Sequence, residues 1–140
     1  MKRLLFVVLV FVLVAGAACG GVKKSEKGAH PVRISRGDRV DITEWLVPGK
    51  VTIFDFTSEY CPPCRMIAPH LEALHGRRED IAVVAVDINR PDVKGIDWSS
   101  PVARQYELRS IPHFKVFDGE GRLIAEGDQA REMVVKWMSE

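Results

Sequence analysis

The sequence has no long basic run and no interleaving of basic with aromatic residues, and its 20 Lys and Arg against 19 Asp and Glu leave a formal net charge of +1. Nucleic acid is therefore excluded as the main partner, since a phosphate backbone is held by a concentrated positive field. Lys23, Lys24 and Lys27 form a small cluster that reads as solvated linker rather than as a lipid-binding patch. Cysteine is scarce. There are three in all, with one CxxC, no second such pair and no closely spaced pair of histidines; a structural zinc site wants four ligands, so the spacing for one is missing. Repeats and low-complexity tracts are absent as well. The longest apolar run, Leu4 to Val14, falls well short of the ~20 residues a membrane-spanning helix needs. What remains, at 46% hydrophobic and 28% charged, is the composition of one ordinary domain.

The N-terminal residues have the layout of a targeting segment. Lys2 and Arg3 supply a charged start and Leu4 to Val14 an apolar stretch of secretory-signal length. The small residues after Val14 fit two processing routes. Ala15-Gly16-Ala17 satisfies the small-x-small rule for ordinary cleavage, which releases a soluble exported protein. Alternatively, the small residues directly before Cys19 resemble a bacterial lipobox, although Gly16 stands where lipoproteins usually carry an aliphatic residue. Lipidation of Cys19 also settles the odd cysteine count, leaving Cys61 and Cys64 as a pair. The expected division is a signal peptide over 1–18, a flexible tether over 19–37 and a folded domain over 38–140, located in the periplasm or cell envelope and lipid-anchored. The tether is inferred because Gly20 to Gly37 is too polar to bury a core.

The chemistry is concentrated in Phe54-Asp55-Phe56-Thr57-Ser58-Glu59-Tyr60-Cys61-Pro62-Pro63-Cys64-Arg65. Val51 to Thr57 is nearly continuously apolar and reads as a strand buried on both faces, and the residues after Cys61 read as a helix. Cys61 then lies at a strand-to-helix junction, facing the positive end of the helix dipole and its unpaired amides, which favour thiolate over thiol. A free cysteine titrates near 8.5, so about 3% is thiolate at neutral pH, and a fall of about 1.5 units raises that to about half. Cys64 lies about one helical turn further on, placed to attack a mixed disulfide formed at Cys61. The plain alternatives are a structural disulfide or half a zinc site.

Along the chain, Arg39 to Ile42 reads as a short strand, followed by a helical turn opened by Thr43 and closed by Pro48-Gly49. A helix from Pro62 to about His75 is stopped by Gly76, buries Ile67, Leu71 and Leu74, and is kinked at Pro69. Ile81 to Ile88 is a second buried strand, parallel to the first by the crossover rule. Asn89 to Trp98 is a loop, and Ser99 or Ser100 caps a helix running to about Leu108. Phe114 to Phe117 and Arg122 to Glu126 flank the hairpin signal Asp118-Gly119-Glu120-Gly121. Asp128 caps a last helix with Met133, Val134 and Trp137 inward, while His30, His70 and His75 read as surface residues. The fold class is α/β, a central mixed sheet with helices on both faces.

Four segments in order resemble the thioredoxin superfamily over Arg39 to Met138. Asp55-Phe56 matches the family's buried aspartate and its neighbour, and Cys61-Pro62-Pro63-Cys64 its CxxC. Cys64 to Pro69 is similar to its active-site helix, kinking proline included, and Tyr106 to Pro112 to the segment ending in its cis-proline, followed by the hairpin from Phe114. The resemblance implies a thiol-disulfide oxidoreductase with a redox-active Cys61–Cys64 disulfide and no cofactor or resident metal. Cys61 attacks, Cys64 resolves, Asp55 exchanges a proton with Cys64, and Pro112, its Ile111–Pro112 bond cis, sets a backbone edge beside Cys61 for a substrate strand. Tyr60, Pro62, Ile111, Pro112 and His113 then surround the substrate. The implied partners are protein disulfides and a membrane electron donor, with the protein acting as a monomeric reductant.

The sequence departs from the family at Tyr60 and Thr57, where tryptophans are common, and at Ala85, the position at which cytoplasmic thioredoxins carry a lysine near the buried acid. Without that cation Asp55 should be harder to ionise. The loop from Asn89 to Ser100 is longer than in minimal thioredoxins and contains Trp98, which is similar to membrane-tethered, exported relatives that reduce apocytochrome c. Asp55 also has a plain alternative as a satisfied polar core residue. Trp98 and Tyr60 fit either a substrate rim or a cover over core edges. His113 fits a substrate contact, a thiolate stabiliser, a soft-metal ligand or an ordinary half-exposed histidine. The last but one opens a second function, a copper-delivery module built on Cys61, Cys64 and His113.

Overall fold

A computed structural model describes residues 27–140; the expected signal segment and the first part of the tether, residues 19–26 with Cys19, lie outside them. Among the described residues no helix is long and apolar enough to cross a membrane. The elements are β1 (Val32–Ile34), a 3-10 turn (Ile42–Trp45), β2 (Val51–Thr57), α1 (Pro62–Arg77), β3 (Ile81–Asp87), α2 (Pro101–Gln105), β4 (His113–Phe117), β5 (Leu123–Glu126) and α3 (Gly127–Ser139). The five strands form one sheet in the order β1-β3-β2-β4-β5. Its β1, β3 and β2 are parallel, β4 is antiparallel to β2, and β5 is antiparallel to β4.

The central β2 pairs with β3 on one side and β4 on the other, which leaves its backbone no unpaired edge. Alternation then sorts its side chains. Ile53 packs with Leu71 and Leu74 of α1 and Val134 of α3. Phe54 and Phe56 pack on the opposite face with Val102 of α2 and Ile42 of the 3-10 turn. Asp55 shares the Ile53 face, so its carboxylate is carried into the α1 layer by the pleat itself.

Three expectations are corrected. The first strand is Val32–Ile34, inside the segment read as a tether, and it pairs with Val84 to Val86. Only Ile34 of its three residues is buried, so it has no apolar signature of its own. Arg39 to Ile42 is not a strand. The Gln105 side-chain amide accepts from Val40 N at 3.1 Å and donates to Val40 O at 2.9 Å, supplying the two bonds a neighbouring strand would make. The 3-10 turn after it is capped by Asp41, which accepts from Thr43 N at 2.9 Å, and not by Thr43.

Helix ends differ too. Gly76 does not stop α1, which continues to Arg77 and is closed by Arg78 N donating to Leu74 O. α2 ends at Gln105, and α3 starts at Gly127 with no side-chain cap, so Asp128 sits inside its first turn. His75 is buried, not on the surface. It follows Leu74 on the apolar stripe of α1, and its Nδ1 accepts from Val83 N at 2.9 Å where β3 extends past the start of β1. The proton is thereby placed on Nε2, which donates to Gly28 O at 3.0 Å.

Candidate active site

At the C-terminal end of β2 the chain turns sharply into α1, and Cys61 is the helix N-cap. Pro62 and Pro63 have no amide hydrogen, so the first N–H that α1 offers is that of Cys64, and it points at Cys61 Sγ from 3.2 Å. Cys61 and Cys64 form a disulfide with their Cα atoms 5.2 Å apart. Both residues are buried, Cys61 to 2% of its surface and Cys64 completely. The residues flanking them in sequence are exposed, Tyr60 at 40% and Met66 at 75%, and the loop between β3 and α2 exposes Trp98 at 43%. Sequence reasoning missed Met66, which lies on the outer face of α1 one half-turn after Cys64.

The Ile111–Pro112 bond is cis, and Ile111 O lies 3.7 Å from Cys61 Sγ. The Ile111-Pro112 turn, remote in sequence, is thus beside the sulfur. Arg131 of α3 donates to Pro112 O at 3.3 Å, a tie that no sequence signal announced. His113, next along, hydrogen-bonds Glu126 at 3.3 Å and packs edge-on against Phe56. Glu126 also pairs with Lys115 at 2.7 Å, and that cation beside it holds its carboxyl below the usual range. Among the described residues no three His, Cys, Asp or Glu side chains gather as a metal site, so Cys61, Cys64 and His113 do not come together as the copper reading requires.

Asp55 lies beneath α1, 3% exposed, and among the described residues its Oδ1 has no hydrogen-bond partner. It is therefore not the satisfied core residue of the plain alternative. Burial without a partner pushes its pKa up to about 7, against a smaller downward pull from Arg33. The carboxyl lines a cavity of about 200 Å³ shared with Arg33, Thr57, Leu71, Glu72 and Ala85.

The turn into α1 is braced from the loop between β3 and α2. Cys61 N donates to Ser58 O at 3.1 Å and Tyr60 N to Ser58 Oγ at 3.2 Å. Ser58 Oγ donates in turn to Asn89 Oδ1 at 2.5 Å, and Asn89 Nδ2 reaches Gly95 O at 2.5 Å and Val93 O at 3.3 Å. Asp97 closes the loop by a two-bond pair with Arg90, which holds its pKa down at about 2. Asn89 thus joins the extended loop to the residues that hold Cys61. Asn89→Ala strands Ser58 Oγ and two carbonyls, and is expected to lower the free energy of unfolding by on the order of 2 kcal/mol, read from urea titration; an unchanged midpoint would mean that the loop holds itself.

A strand-turn-helix carrying a buried cysteine pair, with a cis-proline turn against the first sulfur, is the frame of a thioredoxin-like protein. The thioredoxin family model matches residues 43–140, and the chain belongs to that family. It is 31% identical over 85 residues to a thioredoxin H-type of Brassica campestris, covering 61% of this chain and 63% of the relative, so the match spans less than two thirds of that protein. It is 25% identical over 120 residues to the thiol-disulfide oxidoreductase ResA of Halalkalibacterium halodurans, covering 73% of this chain and 67% of the relative. Spinach chloroplast thioredoxin f shares the fold with a TM-score of 0.55 at 17% identity, covering 82% of this chain and 96% of that one.

Proposed function

We propose that the protein is an exported thiol-disulfide oxidoreductase, acting on protein disulfides chiefly as a reductant and recharged by a membrane electron donor. The carrying observation is the Cys61–Cys64 pair, with the leading amide of α1 aimed at Cys61 Sγ and Ile111 O beside it. In the dithiol form that amide and the helix dipole favour the Cys61 thiolate. The thiolate attacks one sulfur of a substrate disulfide, forming a Cys61-substrate disulfide and expelling the other substrate sulfur as thiolate. Cys64 gives its proton to Asp55 and attacks Cys61 Sγ. The second substrate thiol leaves, and the Cys61–Cys64 disulfide forms; two electrons have passed to the substrate. A donor dithiol returns the pair to the reduced state.

Asp55 suits the proton step because a carboxyl with a pKa of about 7 exchanges a proton at neutral pH in either direction. Ile111 O and the Pro112 turn supply the backbone edge for an extended substrate segment, and exposed Tyr60, Trp98 and Met66 its apolar rim. The charged, then apolar, N-terminal residues and Cys19 support export and a lipid anchor. The test is catalysis of protein-disulfide reduction by dithiothreitol. The protein is expected to accelerate it and Cys61→Ala to fall to the uncatalysed rate; equal rates for the two would refute the reading. A reduction potential below that of the compartment marks a reductant, and one above it an oxidant.

A further inference from the structure

We infer that Arg33, from the edge strand β1, is the cation that eases the ionisation of Asp55 against its burial, reaching it through the cavity beneath α1 over the small side chain of Ala85. This rests on the proposed proton role of Asp55 and gives that role its control. Arg33, Ala85 and Asp55 occupy one row across the sheet, since Arg33 is opposite Ala85 and Ala85 opposite Asp55. Residues of one row point to the same face, so all three face α1. Two strand spacings separate Arg33 from Asp55, roughly 10 Å between Cα atoms, a gap that a long guanidinium side chain shortens and that a methyl at Ala85 leaves open. Arg33, Ala85 and Asp55 all line the same cavity. A cation near the acid is therefore supplied, from a strand the sequence did not announce, although no lysine stands at position 85.

Other groups also face Asp55. From α1 comes Glu72, which is paired at 3.0 Å with His30 of the lead-in to β1, and both are exposed at the cavity mouth. From β3 comes Asp87, whose Oδ2 accepts from Arg33 Nη1 at 3.0 Å. β4 presents Phe114, opposite Asp55, and β2 itself contributes Thr57. Among the described residues Arg33 is the one group of fixed positive charge in the cavity lining, and the anion Asp87 keeps it in place while offsetting part of its field.

The deciding measurement is the titration of the Asp55 carboxyl by carbon NMR in the oxidised protein. Arg33→Gln is expected to move it upward by roughly half a unit or more, the scale for losing a half-solvated opposite charge, and Arg33→Lys to keep it near the wild-type value. The Gln variant also exposes Asp87, so the pair is repeated in an Asp87→Asn background. There the upward shift must persist; its disappearance, or an unmoved titration in Arg33→Gln, overturns the inference. Arg33→Met, which keeps the packing of the stem, takes the place of Gln if that variant does not fold. Cys61-dependent disulfide reduction is measured on the same proteins. Absence of that activity defeats the proposed function and leaves the Asp55 titration to judge Arg33, whereas full activity with an unmoved titration defeats Arg33 alone.

Discussion

Cys64→Ser is expected to arrest the protein as a mixed disulfide with its substrate, linked through Cys61. The expectation follows from which sulfur is approached and which one resolves. Cys61 Sγ receives the Cys64 amide and lies 3.7 Å from Ile111 O, whereas Cys64 is completely buried one helical turn behind it. A substrate disulfide therefore meets Cys61 first. With Cys64 present, the second step is intramolecular, and oriented intramolecular reactions run with effective molarities of about 10⁵ M or more, against the millimolar concentration of any external thiol. Removing that sulfur is expected to cut turnover by at least about a thousandfold while leaving the first step open. Mass spectrometry of the variant mixed with a disulfide-bonded protein should show one adduct per chain, released by reductant. Cys61→Ser should form none. An adduct on Cys64 in the Cys61 variant, at a rate equal to that of the reverse pair, would show that the two sulfurs are interchangeable and that the turn into α1 does not set their order.

The site was legible in the sequence to the extent that its parts are short and contiguous. Asp55, Cys61, Cys64 and the start of α1 all lie in one strand-to-helix passage, and Pro112 is marked by the segment before it. Long-range bonds made by ordinary polar residues were not legible. Gln105 takes the place of a strand beside Val40, His75 closes the end of β3, Asn89 braces the turn at Ser58, and Arg131 holds Pro112. Each is a polar side chain satisfying a backbone or side-chain group more than a few residues away, and nothing in local periodicity encodes such a partner. β1 failed for a related reason. Three residues with a single buried side chain carry no alternation signal, and the strand exists because β3 offers an edge to pair with. Position 85 shows the consequence for function: read alone, Ala85 means that Asp55 lacks a cation, whereas the fold places Arg33 from β1 on the same face.

Asp55→Asn is expected to make the protein more stable above neutral pH and slower as a catalyst. In the unfolded chain this carboxyl ionises near its ordinary value of 3.8, and in the folded protein it holds its proton up to about 7, because burial disfavours the charge. Between those values the folded state binds more protons than the unfolded state, so stability falls as pH rises through the interval and levels off above it. The separation is about three units at 1.36 kcal/mol each, or about 4 kcal/mol lost by pH 8 from this one group. The amide carries no charge at any pH. The variant should therefore match the wild type near pH 4 apart from a constant offset, and exceed it progressively toward pH 8, by as much as about 4 kcal/mol in urea-derived free energy. The catalytic consequence has the opposite sign. On the proposed mechanism Cys64 loses its proton acceptor, and general-base contributions of this kind are worth about a hundredfold, so the wild-type rate should rise with pH through about 7 as Asp55 ionises, and the variant should lack that inflection. Parallel stability curves for the two proteins from pH 4 to 8 would mean that Asp55 is ionised in the fold throughout, and would remove the acid from the proton step as well. A cost in stability above pH 7, retained in a core that otherwise buries apolar side chains, is what a carboxyl held for chemistry rather than for packing should show.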